Sequence, residues 1–361
     1  LSIQSAHFFT TDSVAALLAV AAFAASLKAW RARQWRWFIV AGACVGMAAA
    51  SKPNLLLTGG FLLLPMLETL RLRGAGPELP PRRWRNRGAL VPGTVVAGVS
   101  ALIAFRIFQP YAFRGPEPWD LRLDPRWTDT LDYWQRVQGG TIDLPPGIQW
   151  ADRAPMFFIL DNLVRWGMGP ALGVAALAGL AVTGVAMLAG RRWPSWWLLA
   201  IVLWAAFHLV FFGIAFVKAQ RYLLPAYPFL VMLAAALLAG LPGRLRGVPR
   251  RSAWLSDAML ARLRTGAIAL VVVATMLWGL AVTSIYLRPQ TRVAASEWIY
   301  EHVPAGSQRP AGCRLYPGPV SRRRTLRQSE EDRGARRFRP SGIAGSPEKG
   351  QRPDRDDPRR I

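Results

Sequence analysis

Eight blocks of apolar residues, rich in Ala, Leu and Val and without strand-like alternation, organise this chain of 361 residues. A run of about 17–25 apolar residues is long enough to cross a bilayer as a helix. In lipid, only a helix or a closed barrel satisfies its own backbone groups. Non-alternating blocks of this kind predict helices, here over residues 13–29, 37–50, 55–67, 89–107, 166–188, 196–217, 222–241 and 266–287. The fold class expected is therefore an all-α polytopic integral membrane protein with about eight transmembrane helices. The second and third blocks are short and only Ser51, Lys52, Pro53 and Asn54 part them. They read either as two thin spans meeting at the surface or as a hairpin dipping into the membrane.

The arginines test the count. Net charge is +24, which in another chain would suggest nucleic acid, but here the basic residues alternate with the spans. Four loops carry eighteen of them: Lys28 to Arg36, Arg71 to Arg87, Arg191 with Arg192, and Arg244 to Arg264. The short loops on the other side carry only Lys52, Lys218 and Arg221. Such asymmetry places the basic loops in the cytoplasm, and no nucleic-acid partner is expected. Tryptophans 30, 35, 37, 166, 193, 196 and 197 lie near span ends, as an interfacial belt would. Gly42 and Gly46 stand one turn apart, a pairing that suits close helix packing.

By parity, the segment 108–165 is a large external loop, aromatic and mixed in charge, with turn signals at Gly139-Gly140 and Pro145-Pro146-Gly147. It is either functional or a structural cap. Residues 1–287 form the membrane domain, and 288–307 open an external segment with a short helix at 294–303 (AASEWIYEHV). From 308 to 361 Arg, Pro, Gly and Ser replace the aliphatics, a composition that cannot bury a core. That tail reads either as a basic binding segment or as the product of a frameshift in a GC-rich gene, and the second is the reading expected. The chain starts at Leu1 without a signal peptide, and a start further upstream is the expectation.

Ionisable groups at membrane depth are costly and are functional candidates by default. His7 and Asp12 precede the first span, Lys52 and Asn54 lie between the second and third, and Lys218, Arg221 and Tyr222 lie between the sixth and seventh. Topology puts all of them on one face. Lys and Arg at a low-dielectric surface suit a phosphate, and a nearby carboxylate suits a general base or metal ligand. The bland readings stand beside these: the cations snorkel to the interface, Asp12 caps the first span, and His208 is a packed, hydrogen-bonded core residue. The chain has no Walker loop, dinucleotide fingerprint, zinc spacing or serine elbow. Two cysteines, Cys44 and Cys313, make no disulfide framework.

HFFTTDS leading into a span, then AAASKPNLLL, then QRYLLPAYPFL, resembles the membrane glycosyltransferases of the GT-C class, in particular the protein O-mannosyltransferase-like and aminoarabinose-transferase-like enzymes. WIYEHVPAGS resembles the start of their external segment. The resemblance covers about residues 1–307. It implies a GT-C-like helical bundle with an outer-leaflet cavity and transfer of a sugar from a polyprenyl-phosphate carrier to an unknown acceptor. Arg221, Lys218 and Lys52 would hold the donor phosphate, with His7, Tyr222 and Asn54 in support. The family's main catalytic acid lies in a first external loop that would precede Leu1. Asp12 resembles a second acidic position, placed to orient the acceptor or a divalent metal. A bacterial plasma membrane, with the active face outside the cytoplasm, is the location expected. Two other classes fit the same composition: a transporter or flippase of a lipid-linked or polar solute, and a non-catalytic envelope scaffold. Transporters place binding groups at the midplane in internal repeats, whereas these groups gather at one face.

Overall fold

The computed structural model describes residues 10–74, 90–142, 145–189, 195–240, 256–288 and 291–304. The chain divides into two compact units, Leu1–Ile299 and Tyr300–Ile361. Of the second, only 300–304 are described, so the expected tail from 308 lies outside the described residues.

The first unit is a helical bundle. Helix α1 (Thr11–Ala32) runs into α2 (Trp35–Ser51), and a 3-10 segment (Pro53–Leu63) continues as α3 (Leu64–Gly74). Helix α4 (Leu90–Phe108) leads to the large loop, whose main helix is α5 (Pro125–Gly139). A short α6 (Phe157–Asn162) passes through a π turn (Leu163–Gly167) into α7 (Pro170–Leu188). Then come α8 (Trp196–Ile214), a second 3-10 segment (Gln220–Ala226) with α9 (Tyr227–Ala239), and α10 (Asp257–Thr283). Helix α11 (Thr291–His302) bears out the short helix expected after the last span. Among the described residues no strand forms; Phe113 and Leu123 make one isolated antiparallel bridge.

Among the described residues, seven helical stretches are long and apolar enough to cross a membrane. The second block, at 17 residues, is the shorter α2. The third block is longer than expected, 20 residues from Pro53 to Leu72, which favours two spans over a shallow hairpin. Other boundaries move for local reasons. The fifth span starts at Pro170, not at 166, because Gly169 takes φ 85° and breaks the helix. The sixth ends at Ile214, where Ala215 turns extended. The last starts earlier, at Asp257, because Ser256 accepts the Met259 N–H at 3.2 Å and caps it. Arg262 and Arg264 therefore lie on the first turns of α10 rather than in a loop.

Packing follows the small residues. A Cβ on Gly42 would overlap the Ala97 carbonyl oxygen, and one on Gly46 would overlap that of Ala101. Helices α2 and α4 thus meet backbone to backbone, as the glycine pair predicted, and Ser100 Oγ donates to the Ile39 carbonyl at 2.9 Å. An aromatic cluster joins α1, the first 3-10 segment, α8 and α9. Phe23 meets Phe61, Trp197 and Phe229 edge-on at 5.3, 5.6 and 5.4 Å. Trp197 is 8% exposed and belongs to this core, so it leaves the interfacial belt expected of it. Trp193 lies outside the described residues.

Overpacking at a tight contact costs about 1–3 kcal/mol. Gly42→Leu and Gly46→Leu should each lower the thermal midpoint of the protein in detergent, whereas Gly98→Ala on α4, where a Cβ meets nothing within 4 Å, should leave it near the parent value.

Candidate functional site

Two prolines shape the turns that carry the candidate residues. Pro53 follows Lys52, and a residue before proline is pushed from helical to extended backbone. Lys52 has φ −156° and ψ 111°, so α2 stops there and the lysine side chain turns back toward α1. In the second 3-10 segment, Pro225 cannot donate to a helical ladder. Its carbonyl instead accepts Trp204 Nε1–H at 3.1 Å. Leu223, Leu224, Pro225 and Ala226 are buried, Tyr222 is half-buried and Arg221 is exposed.

Lys52 Nζ donates to Asp12 Oδ1 and forms an ion pair with it. Asp12 is 5% exposed. It stands in the first turn of α1 behind Thr10, which occupies the N-cap position with φ −77° and ψ 146°. The cap reading of Asp12 is thereby corrected: its carboxylate serves Lys52. The ammonium also lies 4.3 Å from the centre of the Tyr222 ring. Arg221 approaches that ring too, at 5.5 Å. Two cations thus share one aromatic ring, beside a single carboxylate. Burial pulls the Lys52 ammonium below its usual 10.5, the Asp12 contact opposes that shift, and the Arg221 charge adds to it.

The other candidates are placed as follows. Asn54 opens the first 3-10 segment, and its Oδ1 is buried without a hydrogen-bond partner among the described residues. Lys218 is 5% exposed and its ammonium faces the Phe216 carbonyl at 3.4 Å. Burial lowers its pKa. His7 lies outside the described residues. His208, on α8, is 1% exposed and its Nδ1 lies 2.9 Å from the Trp204 carbonyl. It is the packed core histidine expected, with Nε2 left without a partner among the described residues. Phe212 links it to the site, 6.0 Å from His208 and 5.2 Å from Tyr222. Among the described residues no group of three or more His, Cys, Asp or Glu could hold a metal ion.

The large loop docks beside these residues. Phe216 N–H donates to the Gln138 carbonyl at 3.0 Å, and Met156 N–H to the Gly213 carbonyl at 2.9 Å. Gly140, with φ 73°, packs on the Phe216 ring. Further out, Arg122 hydrogen-bonds Asp120 and holds its carboxyl down at about 2.

At the opposite end of the bundle lies a cluster that the sequence reading missed. Glu68 is 2% exposed. Its Oε1 accepts from Arg71 Nε at 3.0 Å and Nη2 at 2.5 Å, and its Oε2 accepts Trp196 N–H at 2.7 Å, at the start of α8. Thr69 Oγ1 accepts from Trp30 and Arg33 at 3.2 and 3.0 Å. An acid at the edge of an apolar block was the available signal.

The family model for dolichyl-phosphate-mannose-protein mannosyltransferases matches residues 2–73. That stretch includes α1, α2 and the first 3-10 segment, and with them Asp12, Lys52 and Asn54; Arg221 and Tyr222 lie beyond it. No curated protein and no solved structure matches the chain. Over that stretch, about a fifth of the chain, the protein is similar to these mannosyltransferases, and the helices support a multi-pass membrane protein.

Removing one member of a buried ion pair strands the other and costs about 3–5 kcal/mol. Asp12→Ala should therefore destabilise the protein strongly. The double variant Asp12→Ala/Lys52→Met should recover most of that loss, and a double-mutant cycle on thermal midpoints reads the coupling.

Proposed function

We propose that the chain transfers a sugar from a polyprenyl-phosphate donor to an acceptor on the extracytoplasmic face of a plasma membrane, with Lys52 and Arg221 as the donor-phosphate site. The observation that carries this reading is the convergence of both cations on the Tyr222 ring, beside a carboxylate that fixes Lys52. Guanidinium supplies a planar fork for phosphate oxygens and ammonium a compact point charge. A low-dielectric edge strengthens both.

In the transfer, the acceptor hydroxyl oxygen bonds to the anomeric carbon and gives up its proton to solvent, while the bond from that carbon to the phosphate oxygen breaks. The polyprenyl phosphate leaves with the bonding pair, and its growing charge is what Lys52 and Arg221 neutralise. Pre-oriented charges aimed at the leaving group stabilise a transition state without reorganising. Asp12, already bonded to an ammonium, acts by positioning Lys52. Asn54, at the turn Lys52 begins, offers a donor hydroxyl its amide oxygen, which has no partner among the described residues. Lys218 stays outside this set because its ammonium faces Phe216. The docked loop, reaching the 213–216 segment, covers the donor and selects the acceptor.

Membranes holding the protein should transfer radiolabelled sugar from a polyprenyl-phosphate donor, and Arg221→Ala or Lys52→Ala should slow this by about 100-fold. Normal transfer by Arg221→Ala would refute the assignment. Because burial lowers Lys52 below 10.5, the ammonium loses its proton, and its hold on phosphate, at a lower pH than an ordinary lysine. Donor KM should rise with pH earlier than the titration of an ordinary lysine would bring, and Lys52→Arg, which keeps its charge, should flatten that rise.

A further inference from the structure

A second pair of cations shares an aromatic ring, at the far end of α1 from Asp12. Lys28 Nζ lies 4.3 Å from the centre of the Trp37 ring, and the Arg36 guanidinium carbon lies 5.5 Å from it. The turn between α1 and α2 brings them together. Arg33 takes the left-handed conformation there, with φ 56°, and its N–H bonds the Ala29 carbonyl at 3.0 Å. Arg31 stands in the last turn of α1, one turn beyond Lys28. Lys28, Arg31 and Arg36 are all exposed.

No carboxylate answers these charges. Between Asp12 and Glu68 the sequence holds no Asp or Glu, and those two acids are paired with Lys52 and Arg71. Among the described residues none of Lys28, Arg31 and Arg36 forms an ion pair. Sharing one ring holds the Lys28 and Arg36 charges within about 10 Å, near the Debye length at 0.1 M salt. They repel one another until an anion joins them. An ammonium beside a guanidinium fork suits phosphate oxygens.

We infer that Lys28, Arg36 and Trp37 bind the phosphate of an anionic glycerophospholipid, in the leaflet at the opposite end of the bundle from Lys52. Hydrocarbon begins directly beside the cations, which selects a lipid over a free anion. Leu17 lies three turns before Lys28 on the same face of α1 and is 67% exposed; Ala24, one turn before Lys28, is exposed too. Ile39, in the turn after Arg36 on α2, is 48% exposed. Helix α1 is long and apolar enough to cross a membrane, so a lipid with its phosphate on Lys28 and Arg36 lays its chains along these side chains. Indoles belong at headgroup level, where Trp37 stands. Net charge then chooses the lipid: a choline headgroup brings a cation of its own, which Lys28 and Arg36 repel, and a glycerol headgroup brings none. The site is independent of the donor-phosphate assignment, and its test uses no activity.

Native mass spectrometry counts the bound lipid directly. The full chain in a neutral detergent would be titrated with phosphatidylglycerol and with phosphatidylcholine of identical chains. Phosphatidylglycerol should bind about 30-fold more tightly, and Lys28→Ala/Arg36→Ala should bring that preference close to unity. Lys28→Arg, which keeps the charge, should retain it. Arg262→Ala/Arg264→Ala, which removes two exposed cations from the first turns of α10, should leave it intact. If Lys28→Ala/Arg36→Ala loses its thermal transition, Lys28→Gln takes its place, with the preference expected to fall about fivefold. A preference that survives these substitutions would overturn the proposal. So would an equal loss in Arg262→Ala/Arg264→Ala, which would make the effect one of net charge. Excess inorganic phosphate should leave phosphatidylglycerol bound; displacement by it would assign the cations to a free anion and overturn the lipid.

Discussion

The ion pair between Asp12 and Lys52 is the contact on which one end of this bundle depends. A lone charge at the edge of a low-dielectric interior is expensive, so each residue needs the other to remain where it is. The pair spans 40 positions of sequence and ties the first turn of α1 to the break between α2 and the first 3-10 segment. Tyr222 lies against the Lys52 ammonium, which brings in the second 3-10 segment. From there the contacts run inward through Phe212 and His208 to Trp204, whose indole returns to the Pro225 carbonyl. Trp204 in turn meets Phe61 at 5.1 Å. The polar face is thus bolted to the aromatic core, and a shift of Lys52 is resisted by rings on several helices.

Both turns that carry cations depart from α geometry next to a proline. In lipid, irregular backbone survives only where protein or a water-lined cavity satisfies it. Lys52 N–H still bonds the Ala48 carbonyl at 2.9 Å, and the Pro225 carbonyl finds Trp204. Each break is therefore supported, and each exposes a cation at a fixed place. A continuous helix through either segment would have spread these side chains around a cylinder instead of directing them to one ring.

The sequence made much of this legible, for identifiable reasons. The helices follow from the length and composition of the apolar blocks, which act locally and need no tertiary information. The Gly42–Gly46 contact was readable because small residues one turn apart have few other uses in a membrane helix. Parity alone placed Asp12, Lys52, Arg221 and Tyr222 at one end. What parity could not supply is partnership: nothing in the one-dimensional string says that Asp12 bonds Lys52, or that Lys218, three residues from Arg221, turns to Phe216 instead. Trp197 was assigned to the interface because it sits beside Trp196 at a span end, yet helix phase turns it onto Phe23. Glu68 went unread because its partners, Arg71 and the Trp196 N–H, become visible only when α3 and α8 are side by side.

The two buried carboxylates show why the ends of the bundle differ in purpose. Glu68 has both oxygens committed, one to the two nitrogens of Arg71 and the other to the Trp196 N–H. Its negative charge also sits at the start of α8, where a helix dipole favours it. That arrangement is complete and works as a lock between α3 and α8. At the other end the excess lies with the donors. An ammonium has three protons to offer; Asp12 takes one, and the ring of Tyr222 faces the group without an oxygen to accept another. Arg221, exposed and 5.5 Å from the centre of that ring, adds a planar fork of donors. A polar cluster whose acceptors are used up holds a fold together, whereas one with donors to spare at a fixed place has the chemistry that the proposed donor-phosphate site requires.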